Sequence, residues 1–332
     1  MMKLLINENE ADQRLDRFLR KYLRAAPLSF IYKAIRKNVK VNGKNVSAAF
    51  MLSAGDEVSV YTRDGDIETF LRQKPAVKAK RSFSVAFEDE NILAVEKPSG
   101  LLTHGGESEK KNTLANQVIS YLTESGKYRA EREKTFVPSP VNRLDRNTTG
   151  IVIFGKNLRT LQELNRMARE RDCVRKYYLT VVGGRMEKER RLRNRMEKDA
   201  VCNKITVLEP EGGGKLMETS ARPVLRTADF TLAEVELITG RTHQIRAHLA
   251  HAGHPVIGDS KYGSPALNRR VEKRFGLTTQ LLHARRVYFA RGTGALAYLV
   301  GMKISAPFPR MFETVCCALF GADWKRALNE HI

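Results

Sequence analysis

One carboxylate in this chain stands in a setting suited to covalent chemistry. In Val141-Asn142-Arg143-Leu144-Asp145-Arg146-Asn147-Thr148-Thr149-Gly150, Asp145 lies between two arginines, just ahead of the apolar run Ile151-Val152-Ile153-Phe154. Nearby positive charge favours the ionised carboxylate, which suits a nucleophile better than a proton donor. Taken alone, the pattern is better explained by a surface aspartate in an ion-pair loop, since such networks also perturb carboxylates. A second cluster, His243, His248, His251 and His254 followed by Asp259, raises a different chemistry, metal-dependent hydrolysis. His248 and His251 can share a helix face, but the spacing is not His-Glu-x-x-His, and His254 lies in a Gly-His-Pro turn, so ordinary helix and loop histidines are expected and no metal. Gly212-Gly213-Gly214-Lys215 lacks the spacing of a phosphate-binding loop and reads as a flexible turn.

The elements that must position Asp145 can be placed from periodicity. Strand-like runs at Phe83 to Phe87, Ile92 to Glu96, Gly150 to Phe154, Tyr177 to Val182 and Thr231 to Leu237 mix with helical ones at Leu114 to Leu122, Leu158 to Arg169 and Thr242 to Ala252. Strands outnumber helices, which predicts an α+β domain on a mostly antiparallel sheet over residues 83–332. The mixed-charge stretch Arg185 to Asp199 reads as an exposed helix or loop. Residues 63–82, with Arg72, Lys74, Pro75, Lys78, Lys80 and Arg81 and little apolar content, read as a linker.

Residues 1–62 have a different organisation. Leu15, Phe18, Leu19 and Tyr22 fall on one helical face, and Phe30, Ile31, Ala34 and Ile35 on another, with Pro27 between them and Ser29 as the expected N-cap. Arg14, Arg17, Lys21 and Arg24 recur on the first helix at three- and four-residue steps, and Lys33, Arg36 and Lys37 lie on the second. Asn42-Gly43 between β-prone residues predicts a hairpin, and Glu57 to Tyr61 a closing strand.

Composition narrows the partner. Of 332 residues, 58 are Lys or Arg against 37 Asp or Glu, a net charge of +21 spread along the chain. Such a surface favours a polyanion. No apolar run approaches the roughly 20 residues of a membrane span, so RNA or DNA is preferred over a membrane. The N-terminus shows no secretory pattern. Cys173, Cys202, Cys316 and Cys317 lack paired metal spacing, and adjacent Cys316-Cys317 is a poor disulfide geometry. Reduced thiols in the cytoplasm are expected.

The motifs then resemble known families in two places. Two basic helices followed by Val41-Asn42-Gly43 and Ala54-Gly55-Asp56-Glu57-Val58 resemble the alpha-L RNA-binding domain, which implies docking on structured RNA through Arg14, Arg17, Lys33, Arg36 and Lys37. Arg143-Leu144-Asp145 followed by Thr148-Thr149-Gly150 resembles the signature of the RluA family of pseudouridine synthases that modify large-subunit ribosomal RNA, in particular the RluC-like branch with an N-terminal alpha-L domain. Further matches follow in the family's order: Ile92 to Leu101, Lys176-Tyr177-Tyr178-Leu179, Thr239 to Arg246, Gly253 to Asp259, and Leu281-Leu282-His283-Ala284. Asn142 departs from the pattern, standing where many relatives have His.

The resemblance implies an isomerase that breaks the glycosidic bond of a uridine, turns the base and rejoins it through carbon 5. Asp145 is the implied nucleophile, acting on ribose or base or assisting glycal formation. Arg246 is placed against that carboxylate, and Tyr178 against the target base, where it can also serve as a general base. Arg143 fills the space left by the flipped nucleotide, and Arg241 contacts RNA. No cofactor is implied, and a monomer acting on large-subunit ribosomal RNA is expected. The rival to this reading, besides the hydrolase, is a non-catalytic ribosome-assembly factor using the RNA-binding module of residues 1–62 alone.

Overall fold

The computed structural model describes residues 1–61, 70–71, 78–106, 109, 111–130, 132–170, 172–199, 202 and 204–331. Of the expected linker, residues 63–69 and 72–77 lie outside the described residues. The chain divides into two compact units, one of Met1–Arg81, Ala115–Ser139 and Gly155–Gln162, the other of Ser82–Leu114, Pro140–Phe154 and Glu163–Ile332.

In the first unit, β1 (Met2–Leu5), β2 (Gln13–Arg14), α1 (Leu15–Tyr22), α2 (Leu28–Lys37), β3 (Val39–Val41), β4 (Met51–Leu52) and β5 (Glu57–Val60) follow one another. The strands form an antiparallel sheet in the order β1-β5-β3 and a small β2-β4 pair. The apolar faces expected from periodicity meet in one core, where Leu15, Phe18, Leu19, Ile31, Ala34 and Ile35 are buried with Val39, Val58 and Val60. The hairpin signal is explained by backbone geometry. Asn42 and Gly43 both have positive φ, +50° and +76°, as a tight hairpin turn requires, and Val41 bridges Lys44. Two local expectations are corrected. Pro27, not Ser29, caps α2, and no side chain accepts a capping hydrogen bond there; a proline with fixed φ already sets the helix entry. Arg14 precedes α1 in β2 and is forked onto Asp16, with Nε–Oδ1 at 3.1 Å and Nη2–Oδ2 at 2.8 Å.

The larger sheet is built from β6 (Ser84–Glu88), β7 (Ile92–Lys97), β8 (Ser139–Pro140), β9 (Thr149–Gly155), β10 (Val174–Gly183), β11 (Arg190–Asp199), β12 (Lys204–Leu208), β13 (Lys215–Arg226), β14 (Phe230–Leu237), β15 (Leu282–Phe289) and β16 (Lys303–Ser305). Its main order is β12-β11-β13-β14-β10-β15-β9-β7-β6, mostly antiparallel, with β9 and β15 parallel. The helices are α3 (Leu114–Glu124), α4 (Leu158–Arg169), α5 (Gln244–His251), α6 (Pro265–Phe275), α7 (Arg310–Phe320) and α8 (Trp324–His331). Leu179 and Val181 of β10 and Leu232 of β14 join Val271 of α6, Phe312 and Val315 of α7 and Trp324 of α8 in a core. Strand alternation turns Tyr178 to the opposite face, where Ala247 of α5 packs with Met196 of β11 and Met217 of β13.

Of the stretch Arg185 to Asp199, residues 185–189 form the expected loop, but the remainder is neither helix nor loop. Residues 190–199 form a strand, because Met196 packs inward while arginines on the alternate positions, such as Arg191 and Arg193, stay exposed. Arginine fills the outward positions and hides the period-two pattern. The triple glycine falls, as expected, in the connection between β12 and β13. Where β9 meets β15, Gly150 has φ +112°, and a Cβ there would lie 2.2 Å from the Ala284 carbonyl oxygen, so a side chain is excluded at the strand that follows Asp145.

Candidate active site

Asp145 sits on a loop pinned from both sides by the segment after β7. Thr103 Oγ1 donates to the Leu144 carbonyl at 3.0 Å and accepts the Leu144 N–H at 3.2 Å. Lys97 Nζ donates to the carbonyls of Pro98, Leu101 and Arg146 at 2.9, 2.8 and 2.8 Å. The residues before and after Asp145 are thereby fixed. Lys97 is 1% exposed, and burial lowers its pKa to about 7 against the opposing charge of Asp145. Asn142 has a structural explanation: its side chain donates to Ile151 O at 3.0 Å and accepts from Ile153 N at 2.9 Å, so it anchors the start of β9.

Arg246, in the first turn of α5, joins two carboxylates. Its Nη1 donates to Asp145 Oδ2 at 2.9 Å, while Nε and Nη2 donate to Asp259 Oδ2 and Oδ1 at 2.6 and 2.8 Å. The Asp259 side chain is fully buried, Arg246 is 6% exposed and Asp145 25% exposed. The bidentate inner pair therefore fixes the guanidinium plane, and the outer nitrogen is left to Asp145. Burial disfavours the arginine cation, but hydrogen bonding and charge from Asp259, then the charge of Asp145, raise its pKa above the ordinary value. Burial likewise opposes the Asp259 carboxylate, and Arg246 with the N–H groups of Lys261 and Tyr262 holds its pKa below the ordinary range. The Tyr262 ring covers the guanidinium, 5.3 Å from Cζ.

Tyr178 is 4% exposed in β10, beside a register shift between Tyr177 and Tyr178 against β15. Burial, and then the charge of Asp145, raise its phenol pKa. The group is thus a neutral phenol beside an anion and a poor base in the resting protein. Arg143 is exposed, and Arg241 is exposed with Nε on the Leu216 carbonyl at 3.3 Å. Arg17, Lys33, Arg36 and Lys37 are exposed on the helices of the first unit. Asp145, Tyr178 and Arg246 are thus brought together by contact or by charge, and Arg143 lies two residues from Asp145.

Sequence reasoning missed the parts played by Lys97, Thr103 and Tyr262, and it considered Asp259 only as a metal ligand. Each lies inside or beside a recognisable motif, but at least one partner that defines its part, such as Arg146 for Lys97 and Leu144 for Thr103, is distant in the chain. The hydrolase reading fails on the same contacts. Asp259 is consumed by Arg246, His248 Nδ1 is 2.8 Å from Thr219 Oγ1, and His243 Nδ1 is 3.0 Å from the Tyr262 hydroxyl. Among the described residues no three His, Cys, Asp or Glu side chains are grouped as a metal site.

Comparison with known proteins identifies the family of the chain. A family described as RNA pseudouridylate synthase matches residues 91–251. The chain is 33% identical over 318 residues to the ribosomal large subunit pseudouridine synthase C of Vibrio vulnificus strain CMCP6, covering 95% of each chain. It is 34% identical over 311 residues to the protein of that name from Escherichia coli strain K12, covering 91% of each. Among solved structures, human RNA pseudouridylate synthase domain containing 4 matches with a TM-score of 0.53 at 21% identity, over 69% of this chain and 89% of that one. Human RNA pseudouridylate synthase domain containing 1 matches with a TM-score of 0.52 at 18% identity, over 72% and 86%. These two share the fold. The fold and sequence together define an RNA-modifying isomerase. The chain belongs to the RluA family of RNA pseudouridine synthases. An assembly factor without catalysis is set aside by that membership.

Proposed function

We propose that the protein isomerises uridines of large-subunit ribosomal RNA with Asp145 as its nucleophile, and that it works as a cytoplasmic monomer without a cofactor. The observation that carries the mechanistic part is the fixed Asp259–Arg246–Asp145 chain, in which a buried bidentate pair aims one remaining guanidinium N–H at Asp145. The names of the relatives support the choice of RNA. No helix among the described residues is long and apolar enough to cross a membrane.

In the reaction the N1–C1′ bond breaks and a C5–C1′ bond forms. The proton on C5 is lost and N1 gains one, so the product is an isomer of the substrate. Asp145 assists by adding to ribose or base or by promoting glycal formation. Tyr178 packs on the base. Burial, and then the charge of Asp145, hold the pKa of its phenol up; when Asp145 forms a bond and loses that charge, the second contribution is removed and the phenol gives up its proton more readily. Arg143, exposed two residues from the nucleophile, fills the stack vacated by the flipped nucleotide. Arg241 contacts RNA, and the bound RNA excludes water that would otherwise intercept the detached base. Residues 1–62 dock structured RNA as an alpha-L domain through Arg17, Lys33, Arg36 and Lys37, with Arg14 bound to Asp16 at their edge.

The test is release of tritium from C5-labelled uridine in large-subunit ribosomal RNA. The wild-type protein should release it, while Asp145→Asn should bind the RNA with unchanged affinity and release none. Near-wild-type release by Asp145→Asn would remove it as nucleophile. Mapping pseudouridines in a deletion strain tests the substrate, and an unaltered large-subunit map would reject it.

A further inference from the structure

His243, the residue just before α5, is held in an unusual state. Its backbone is left-handed, with φ +51° and ψ +17°, a conformation uncommon for residues other than glycine and kept only where the surroundings over-determine it. Its carbonyl accepts the Ala247 N–H at 2.9 Å, so the residue opens the helix that carries Arg246. Its ring lies edge-on to Tyr262 at 5.7 Å between centroids, and Nδ1 is 3.0 Å from the Tyr262 hydroxyl.

That hydroxyl bears on the tautomer. Tyr262 Oη accepts the Ile205 N–H at 2.8 Å, which leaves it one proton to give and one further lone pair. When it gives that proton to His243 Nδ1, the neutral ring carries its own proton on Nε2. Nε2 has no hydrogen-bond partner among the described residues, although the ring is half-buried. Burial lowers the imidazole pKa, the charges of Arg246 and Lys261 act in the same direction, and Asp145 and Asp259 oppose them. The result is an uncharged N–H donor within the electrostatic reach of Asp145.

We propose that His243 takes the tautomer in which Nδ1 accepts from Tyr262 and contacts the substrate, donating from Nε2–H to a carbonyl oxygen of the uracil while that base is detached and turned. This rests on the isomerase reading with Asp145 as nucleophile. Cleavage of N1–C1′ leaves the bonding electrons on the base, and addition of Asp145 to the ring also moves charge toward a carbonyl oxygen. By either route negative charge develops on a uracil carbonyl, where a preorganised neutral donor lowers the barrier. A neutral imidazole suits that acceptor better than a phosphate, which the surrounding arginines and lysines already serve. No proton leaves His243; it holds the base as C5 is brought to C1′.

The experiment compares single-turnover rates on RNAs carrying uridine, 2-thiouridine or 4-thiouridine at the target, at saturating enzyme. His243→Asn keeps a side chain that tolerates the left-handed backbone. It should bind RNA with unchanged affinity and slow the uridine reaction roughly tenfold, the loss of one hydrogen bond. Sulfur at the contacted carbonyl should slow wild type markedly but His243→Asn little, so the two changes should not be additive. Tyr262→Phe leaves the backbone and ring in place but frees the tautomer, and it should slow the reaction two- to threefold, with part of the same coupling. Additive effects at both carbonyls, or unchanged rates in both variants, would overturn the proposal, since a purely structural role slows all three substrates alike. Failure of the wild-type protein to isomerise the uridine RNA would instead overturn the isomerase reading beneath it.

Discussion

Asp259→Asn removes a charge from the Asp259–Arg246–Asp145 chain with almost no change in volume. Asp259 accepts four hydrogen bonds, from Arg246 Nε and Nη2 and from the backbone N–H groups of Lys261 and Tyr262. An asparagine with its oxygen at the Oδ1 position retains three of them and turns its NH2 toward Arg246 Nε–H, donor against donor. Removing one member of a buried ion pair costs about 3–5 kcal/mol. Because three acceptor contacts survive, the lower end, about 3 kcal/mol, is expected for stability. The rate effect is separate. With the inner pair broken, Arg246 is no longer aimed at Asp145, and a charge-assisted hydrogen bond worth about 1.5–3 kcal/mol is misdirected. At 1.36 kcal/mol per decade, the chemical step should slow roughly 10- to 150-fold. Single-turnover isomerisation of labelled ribosomal RNA with enzyme in excess reads the rate, RNA affinity controls for binding, and denaturant unfolding reads the stability. A folded Asp259→Asn protein that isomerises at the wild-type rate would refute the idea that Asp259 aims Arg246. Loss of RNA binding in step with rate would refute the separation of chemistry from docking.

Three further outcomes are expected. Arg143→Met and Arg246→Met should both slow single-turnover isomerisation of a structured RNA, but an unstructured strand with the same target should rescue Arg143→Met more, because it has no stack to open; equal rescue would reject the division of labour. Changing Arg17, Lys33, Arg36 and Lys37 together to Gln should weaken binding of long ribosomal RNA and flatten its steep salt dependence, since a phosphate that no side chain neutralises keeps its counterions on binding; an unchanged salt slope would show that RNA docks elsewhere. Burial lowers the pKa of both His248 and His283 to about 4 from the ordinary 6.5. Between these values the unfolded chain binds the extra protons, so stability is full above about pH 6.5 and falls toward pH 4 by about 1.4 kcal/mol per pH unit for each histidine. Unfolding of His248→Gln across that range should show a slope lower by about that amount, and an unaltered slope would contradict the assignment.

The α+β class, the antiparallel sheet and the helices of the first unit were legible because they rest on local periodicity. Leu158–Arg169 was read at its observed limits, and β9 within one residue at each end. β11 was not legible, since its outward arginines outweighed the inward Met196 in any reading by charge. Asp145 was readable as a nucleophile candidate through its motif, whereas the reason for Asn142 at its position became visible only when both ends of its side chain met β9.

Asp259 shows why the remainder of the site lay beyond sequence pattern. Near four histidines, an aspartate has two incompatible readings, ligand to a metal or partner to a cation, and spacing weighs them only weakly. What separates them is which donors reach its two oxygens. Arg246 lies 13 positions upstream and 101 positions from Asp145, so one side chain satisfies both acids only after the turn after α5 and the loop before β9 converge. Complete burial then makes the assignment exclusive, because an uncompensated carboxylate at that depth is too costly. Arg246 reaches both oxygens, and Oδ1 also accepts the N–H groups of Lys261 and Tyr262, so the carboxylate is already matched by the cation that orients Asp145. The acid that looked most like a metal ligand is therefore the one whose pairing disfavours a metal there, and it gives the nucleophile its fixed neighbour.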